Sequence, residues 1–98
     1  MKIVIIGCGK IGKSMISSLT QEGHDVIIID KNPTVLNETG DAFDVMGVCG
    51  NAADCDTLEE AGIKSADIVV SVTESDETNM LACFLARKLG AKHTVARV

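Results

Sequence analysis

Short apolar runs alternate with stretches of helical periodicity along the whole chain. The first run, Lys2–Ile6 (KIVII), shows no polar alternation, which is the pattern of a strand covered on both faces. Ile11, Met15, Ile16 and Leu19 then recur at helical spacing, and Gly23 ends the helix they define. DVIIID is a second buried strand, closing on Asp30. Asn32-Pro33 reads as a helix start, with Asn as the cap and Pro at the first helical position. Val35, Leu36, Thr39, Ala42 and Phe43 give that second helix its inner face. DVMGVCG is a weaker third strand, DCDTLEEAGI a short helix capped by Asp54, and ADIVVSV a fourth strand rich in β-branched residues. SDETNMLACFLARKLG is a fourth helix. Ser75 caps it, Asp76 and Glu77 favour the positive end of its dipole, Arg87 and Lys88 the negative end, and Gly90 stops it. HTVARV begins a fifth strand.

Strands that alternate with helices, without a hairpin signal, predict a parallel sheet with helices on both faces. The expected fold is a doubly wound α/β sheet of strand order 3-2-1-4-5. In such a sheet ligands bind at the carboxyl ends of the strands, at the point where the order reverses. Residues just after a strand therefore become candidates for function, and residues just before one do not.

Composition narrows the class. The chain has 98 residues, 46% of them apolar, with two Phe and neither Trp nor Tyr, so it supports a single domain over 1–98 with an aliphatic core. Its formal net charge of −5 argues against nucleic acid and anionic membrane surfaces, which need clustered cations. No apolar run approaches the roughly 20 residues of a membrane span, and the amino terminus lacks signal-peptide character. The expectation is a soluble intracellular protein without direct membrane insertion. Cys8, Cys49, Cys55 and Cys83 form no C-x-x-C pair and lie far in sequence from His24 and His93, which argues against zinc. Free thiols of a reducing compartment are the simpler reading. Cys8 and Cys49 fall at the ends of strands one and three, two strand spacings apart, too far for a disulfide.

The chemistry gathers at the first strand end. Gly7-Cys8-Gly9-Lys10-Ile11-Gly12 has a strand before it, a helix after it, and an acidic residue, Asp30, closing the second strand. That context turns a weak G-x-G-x-x-G pattern into a strong dinucleotide signal, that of a Rossmann-like fold. Gly7 permits a tight turn, Gly9 removes a side chain from the path of a pyrophosphate, and Gly12 allows close packing of the helix. Unpaired N–H groups at the helix start then face the phosphates. Asp30 is expected to accept hydrogen bonds from ribose hydroxyls and to repel a 2′-phosphate, which favours NAD over NADP; Lys31 beside it works against that discrimination. ATP and ADP carry the same ribose and phosphates and fit the same reading. Lys10 can reach a terminal phosphate, whereas Lys13, opposite an inward Ile11, reads as a solvated residue.

Other strand ends extend the list. After strand three, Gly50-Asn51-Ala52 offers a small-residue turn for an adenine, with Asn51 able to bond its edge. Thr73 and Glu74 follow strand four on the far side of the switch point, and Arg97 falls late in strand five, where it can reach the cleft or pack on the sheet. His24 and His93 precede strands and belong at the opposite edge. A helix start can depress a thiol pKa, which raises a redox role for Cys8, although a free thiol in a permissive position is the plainer reading.

With GCGKIGKS, IIIDKN, CGNAAD, VTESDETN and VARV in register, the chain resembles the amino-terminal nucleotide-binding domain of Trk-type potassium uptake regulators, the RCK or KTN family. The resemblance runs nearly end to end. It implies a cytoplasmic regulatory subunit, not an enzyme, that binds NAD(H) or ATP/ADP. Such a subunit assembles as a dimer or larger ring on a potassium-transporting membrane protein, at the inner face of the cell membrane. It also implies that Gly7 to Gly12 hold phosphates, Asp30 the ribose, Asn51 and Ala52 the adenine, and Thr73 with Glu74 the rest of the ligand. Family domains continue past the fifth strand, so the resemblance further implies a fragment of a longer chain, with apolar surface left to associate. The alternative from the glycine motif alone is the cofactor half of an NAD-dependent dehydrogenase.

Overall fold

The computed structural model describes residues 1–98. Five strands, β1 (Lys2–Ile6), β2 (Asp25–Asp30), β3 (Met46–Cys49), β4 (Ile68–Ser71) and β5 (His93–Ala96), pair in parallel in the order β3-β2-β1-β4-β5. Helices α1 (Lys10–Gln21), α2 (Pro33–Phe43), α3 (Cys55–Glu60) and α4 (Asp76–Lys88) make the crossovers. A 3-10 turn at Ile63–Ser65, which the helical pattern did not separate from α3, leads into β4. Order and orientation match the sequence-based expectation.

The central strand shows why its run is unbroken. Ile3 and Ile5 point into a core with Ile16 of α1 and Leu36 of α2. Val4 and Ile6 point the other way, into a core with Leu58 of α3 and Ala82 and Ala86 of α4. Period-2 alternation therefore feeds two apolar layers at once, each fully buried Ile contributing about 1.5–3 kcal/mol by removal from water.

Two helix faces depart from the pattern. α1 begins at Lys10, so Ile11 sits in its first turn and is 44% exposed rather than inward; Gly12, Met15, Ile16 and Leu19 make the inner face. Ala42, expected on the inner face of α2, is exposed near the last turn, where the chain leaves through Asp44 in a left-handed conformation (φ 54°).

The carboxyl edge is aligned by hydrogen bonds that run one residue past the strands. Gly7 N–H donates to the Ile29 carbonyl (2.8 Å) and Gly50 N–H to the Asp30 carbonyl (3.1 Å). On the other side Val72 N–H donates to the Ile6 carbonyl (2.9 Å) and Arg97 N–H to the Ser71 carbonyl (3.0 Å). Residues distant in sequence are thereby held side by side at the switch point between β1 and β4.

Candidate functional site

A cleft of about 1030 Å³ opens at that edge. Every candidate residue except Gly12 lines it: Gly7, Cys8, Gly9, Lys10 and Ile11 from the first turn, Asp30 and Lys31 from the second, Asn51 and Ala52 from the third, Thr73 and Glu74 from the fourth, and Arg97. Lys10, Lys13, Lys31 and Arg97 face only two carboxylates there, Asp30 and Glu74, so an acidic chain presents a locally cationic cleft.

The glycines divide the work as their conformations require. Gly7 has φ +101°, the left-handed region that side chains avoid. A Cβ on Gly12 would lie 1.9 Å from the Gly7 carbonyl oxygen, so the close approach is between the start of α1 and the turn itself. Gly9 is different: a Cβ there would meet no protein atom within 4 Å. Neither packing nor φ (−76°) demands glycine at this position, and Gly9 lines the cleft.

The helix starts tell the same story. Asn32 caps α2 by accepting from the Thr34 and Val35 amides, Asp54 caps α3, and Ser75 caps α4. No side chain caps α1. Its first bond is from Lys13 N–H to the Gly9 carbonyl (2.9 Å), which leaves the amides of Gly9, Lys10, Ile11 and Gly12 without a backbone partner beside the cleft.

Asp30 is fixed from two sides. Its Oδ2 accepts from the Cys8 amide and its Oδ1 from the Asn32 amide, both at 2.9 Å. A carboxylate has about four acceptor sites, so about two remain for a ligand. The Cys8 amide is thus spent on Asp30 and is not one of the free donors.

The Cys8 side chain favours the plainer of its two readings, a free thiol. It is fully buried, and burial, with a contribution from the Asp30 charge, pushes its thiol up to about 11. Burial of the thiol in the α1–α2 core outweighs the Thr39 side chain and the Lys13 charge, which pull the other way. The raised value means the folded state holds its proton more tightly. Its contribution to stability is complete below pH 9.0 and is lost as pH rises toward about 11. Cys83 is also buried, whereas Cys49 and Cys55 are exposed. A maleimide or iodoacetamide time course at neutral pH should label two thiols quickly and the other two only on unfolding; prompt labelling of Cys8 would contradict this placement.

The third and fourth strand ends are more structural than the sequence suggests. Gly50 is small because a Cβ would fall 2.5 Å from Thr57 Oγ1, and Ala52 is 5% exposed, part of the α3–α4 core as well as the cleft floor. Asn51 is exposed, with Oδ1 taken by the Ala53 amide (2.9 Å), so its Nδ2 amide is the free group. Thr73 is half-buried, and its Oγ1 lies 2.6 Å from Asn79 Oδ1. Glu74 is exposed, and Arg97 stands one residue beyond the end of β5. His24 lies at the amino edge between Glu22 and the Met1 amino group, and His93 opens β5 at the same edge.

Asn79 is the residue that strand-end reasoning missed. It lies on the inner face of α4 and is fully buried. Its spacing with Ala82, Cys83 and Ala86 at i, i+3, i+4 and i+7 was the available signal that a polar side chain pointed inward.

The TrkA-N domain family model matches residues 3–98. The Trk system potassium uptake protein TrkA homolog of Methanothermobacter thermautotrophicus is 39% identical over the whole chain, which spans 45% of that relative. The TrkA protein of Vibrio alginolyticus is 42% identical over 99 aligned positions, and the chain spans 22% of it. The chain thus spans less than half the length of these curated relatives. Among solved structures, the NAD(P)-binding domain of an exopolyphosphatase-related protein from Archaeoglobus fulgidus superposes with a TM-score of 0.84 at 20% identity, over 98% of this chain and 71% of that one. The Kef CTD of Shewanella denitrificans, in AMP-bound form, gives 0.82 at 24% identity, over 97% and 57%. The two structures share the fold; the family model covers everything after the second residue, and the chain belongs to the TrkA-N domain family.

Proposed function

We propose that this chain is a single nucleotide-binding regulatory domain of a potassium uptake system, with NAD(H) as the preferred ligand and ATP or ADP as ligands of the same cleft. The carrying observation is the pairing of an uncapped α1 start and an unfilled volume at Gly9 with the anchored Asp30 carboxylate across the turn. Free amides and the helix dipole favour phosphate oxygens. Asp30 supplies ribose acceptors, the Asn51 amide and the Ala52 floor suit an adenine, and Lys10 reaches toward phosphate. Thr73, Glu74 and Arg97 border the remaining half. Names of the curated relatives support the potassium link, and the AMP-bound form of one fold neighbour supports an adenine nucleotide.

Regulation requires a ligand that binds two subunit arrangements unequally; equal binding would shift nothing. The reading therefore includes a homo-oligomer, a dimer or larger ring, acting on a potassium-transporting membrane protein from its cytoplasmic side. No helix is long and apolar enough to cross a membrane. The competing reading, half of a dehydrogenase, needs an acid or base beside the transferred hydride, and Glu74, Asp76 and Glu77 are the acids near the far side of the cleft.

Titration of the chain with NADH, NADPH, ATP and ADP tests the proposal. NADH should bind more tightly than NADPH, by about tenfold or more, given the like charges near Asp30. Equal affinity for the two would overturn the role of Asp30. Steady NADH oxidation with a small carbonyl metabolite would favour the enzyme.

A further inference from the structure

One buried side chain joins the two strand ends that border the far half of the cleft. Asn79 Oδ1 accepts from Ser71 Oγ (2.9 Å), the Thr73 amide (2.9 Å) and Thr73 Oγ1 (2.6 Å). Its Nδ2 donates to the Thr73 carbonyl and to the Arg97 carbonyl, both at 3.0 Å. The orientation of the amide is fixed by chemistry: an N–H can only donate and a carbonyl can only accept. Ser71 ends β4, Thr73 follows it, and Arg97 follows β5, so Asn79 is the side-chain tie between the two carboxyl ends. Asn79 does not line the cleft, whereas Thr73 and Arg97 do.

We infer that Asn79 is a positioning residue for the part of a dinucleotide beyond its adenosine half, through its hold on Thr73 and Arg97. The inference rests on the nucleotide reading above. Asp30 and Asn51, at the carboxyl ends of β2 and β3, would serve the adenosine without help from Asn79; the Gly7 turn that would serve its first phosphate abuts Thr73, whose amide nitrogen would lie 3.0 Å from a Cβ on Gly7. A mononucleotide such as AMP ends at that turn, while NADH must extend across the switch point to β4 and β5. Asn79 thus separates two ligands that share an adenosine.

The test is the ratio of NADH to AMP affinity, measured by calorimetry well below the melting temperature of each variant. Asn79→Ala is expected to weaken NADH by roughly tenfold and AMP by about threefold at most, since AMP feels the loosened Thr73 only through the Gly7 turn while NADH also meets Thr73 and Arg97 directly. Should that variant not fold, Asn79→Asp keeps the side-chain size and the acceptor for the Thr73 amide. It removes the amide that donates to the Arg97 carbonyl and carries the same expectation. Ser71→Ala deletes another buried bond to Asn79 and should lower the melting temperature without moving the ratio. Equal weakening of both ligands by Asn79→Ala, no weakening of either, or an equal ratio change in Ser71→Ala would overturn the inference. If neither ligand bound the unmodified chain, the nucleotide reading would fall first and this inference with it.

Discussion

Gly12→Ala is expected to cost the fold about 3 kcal/mol, which for a domain of this size lowers the melting temperature by roughly 12–24 °C. The added Cβ would lie 1.9 Å from the Gly7 carbonyl oxygen and 3.0 Å from the Gly7 carbonyl carbon. Both are backbone atoms of a turn already held at φ +101°, so no side chain can swing aside to relieve the overlap. Either the start of α1 lifts off the β1 end or the turn opens, and in both cases the amides leave their alignment on the cleft. Gly9→Ala is the contrasting member of the pair. Its Cβ meets nothing within 4 Å and its φ of −76° suits alanine, so the fold should lose only about 1 kcal/mol or less, the cost of alanine at a helix cap. Ligand affinity should nonetheless fall on the order of a hundredfold, because a methyl group would occupy the space where a phosphate approaches the backbone. Thermal unfolding and calorimetry on the two variants separate a glycine kept for the protein from one kept for the ligand. A Gly9→Ala variant that bound as well as the unmodified chain would remove the ligand from the explanation of Gly9.

Asp30→Ala should carry the second large effect, in binding and in stability together. The carboxylate is the acceptor for the Cys8 amide in the glycine turn and the Asn32 amide at the start of α2. Losing two charge-assisted bonds of this kind costs about 2 kcal/mol or more, and the vacated Cys8 amide sits part-buried. On the ligand side, NADH should weaken by roughly ten- to a hundredfold, and the NADH preference over NADPH should shrink toward parity as the like-charge repulsion disappears. Asp30→Asn distinguishes the contributions. It keeps the size, but its amide nitrogen must face one of the two backbone donors, so the fold still loses a bond while the charge is gone. An Asn variant that retains the full NADH preference would show that discrimination against NADPH does not come from this charge.

Much of the fold was legible because β1, β2 and β4 are unbroken apolar runs separated by capped helices. Asn32, Asp54 and Ser75 announce three helix starts by chemistry that works locally, and all three caps are observed. The cleft was legible for the same reason: in a parallel sheet the residue after each strand must come to one edge. Less was legible where a position is set by distant packing. Ile11 has the spacing of an inward residue, yet in the first turn of α1 it lies on the cleft instead of in the core. Gly50 lines the cleft, but the packing of Thr57, seven residues on, also requires a glycine there, which no local pattern announces. Cys8 does stand at a helix start, and only its burial between α1 and α2, which depends on how those helices sit on the sheet, lies beyond the local pattern. Asn79 could not be paired from sequence, because its partners Ser71 and Arg97 meet only once β4 and β5 are neighbours.

If adenine nucleotides dock their phosphates on the open amides at the start of α1, amide-resolved NMR will register the contact at that turn. Addition of NADH or ADP to the labelled chain should shift the Gly9, Lys10, Ile11 and Gly12 amides first and furthest, with smaller changes at Cys8 and Asn32 through Asp30. The amino-edge amides of His24 and His93 should stay in place. Saturating nucleotide that left the Gly9–Gly12 amides unmoved, or that shifted residues only away from this turn, would contradict that docking.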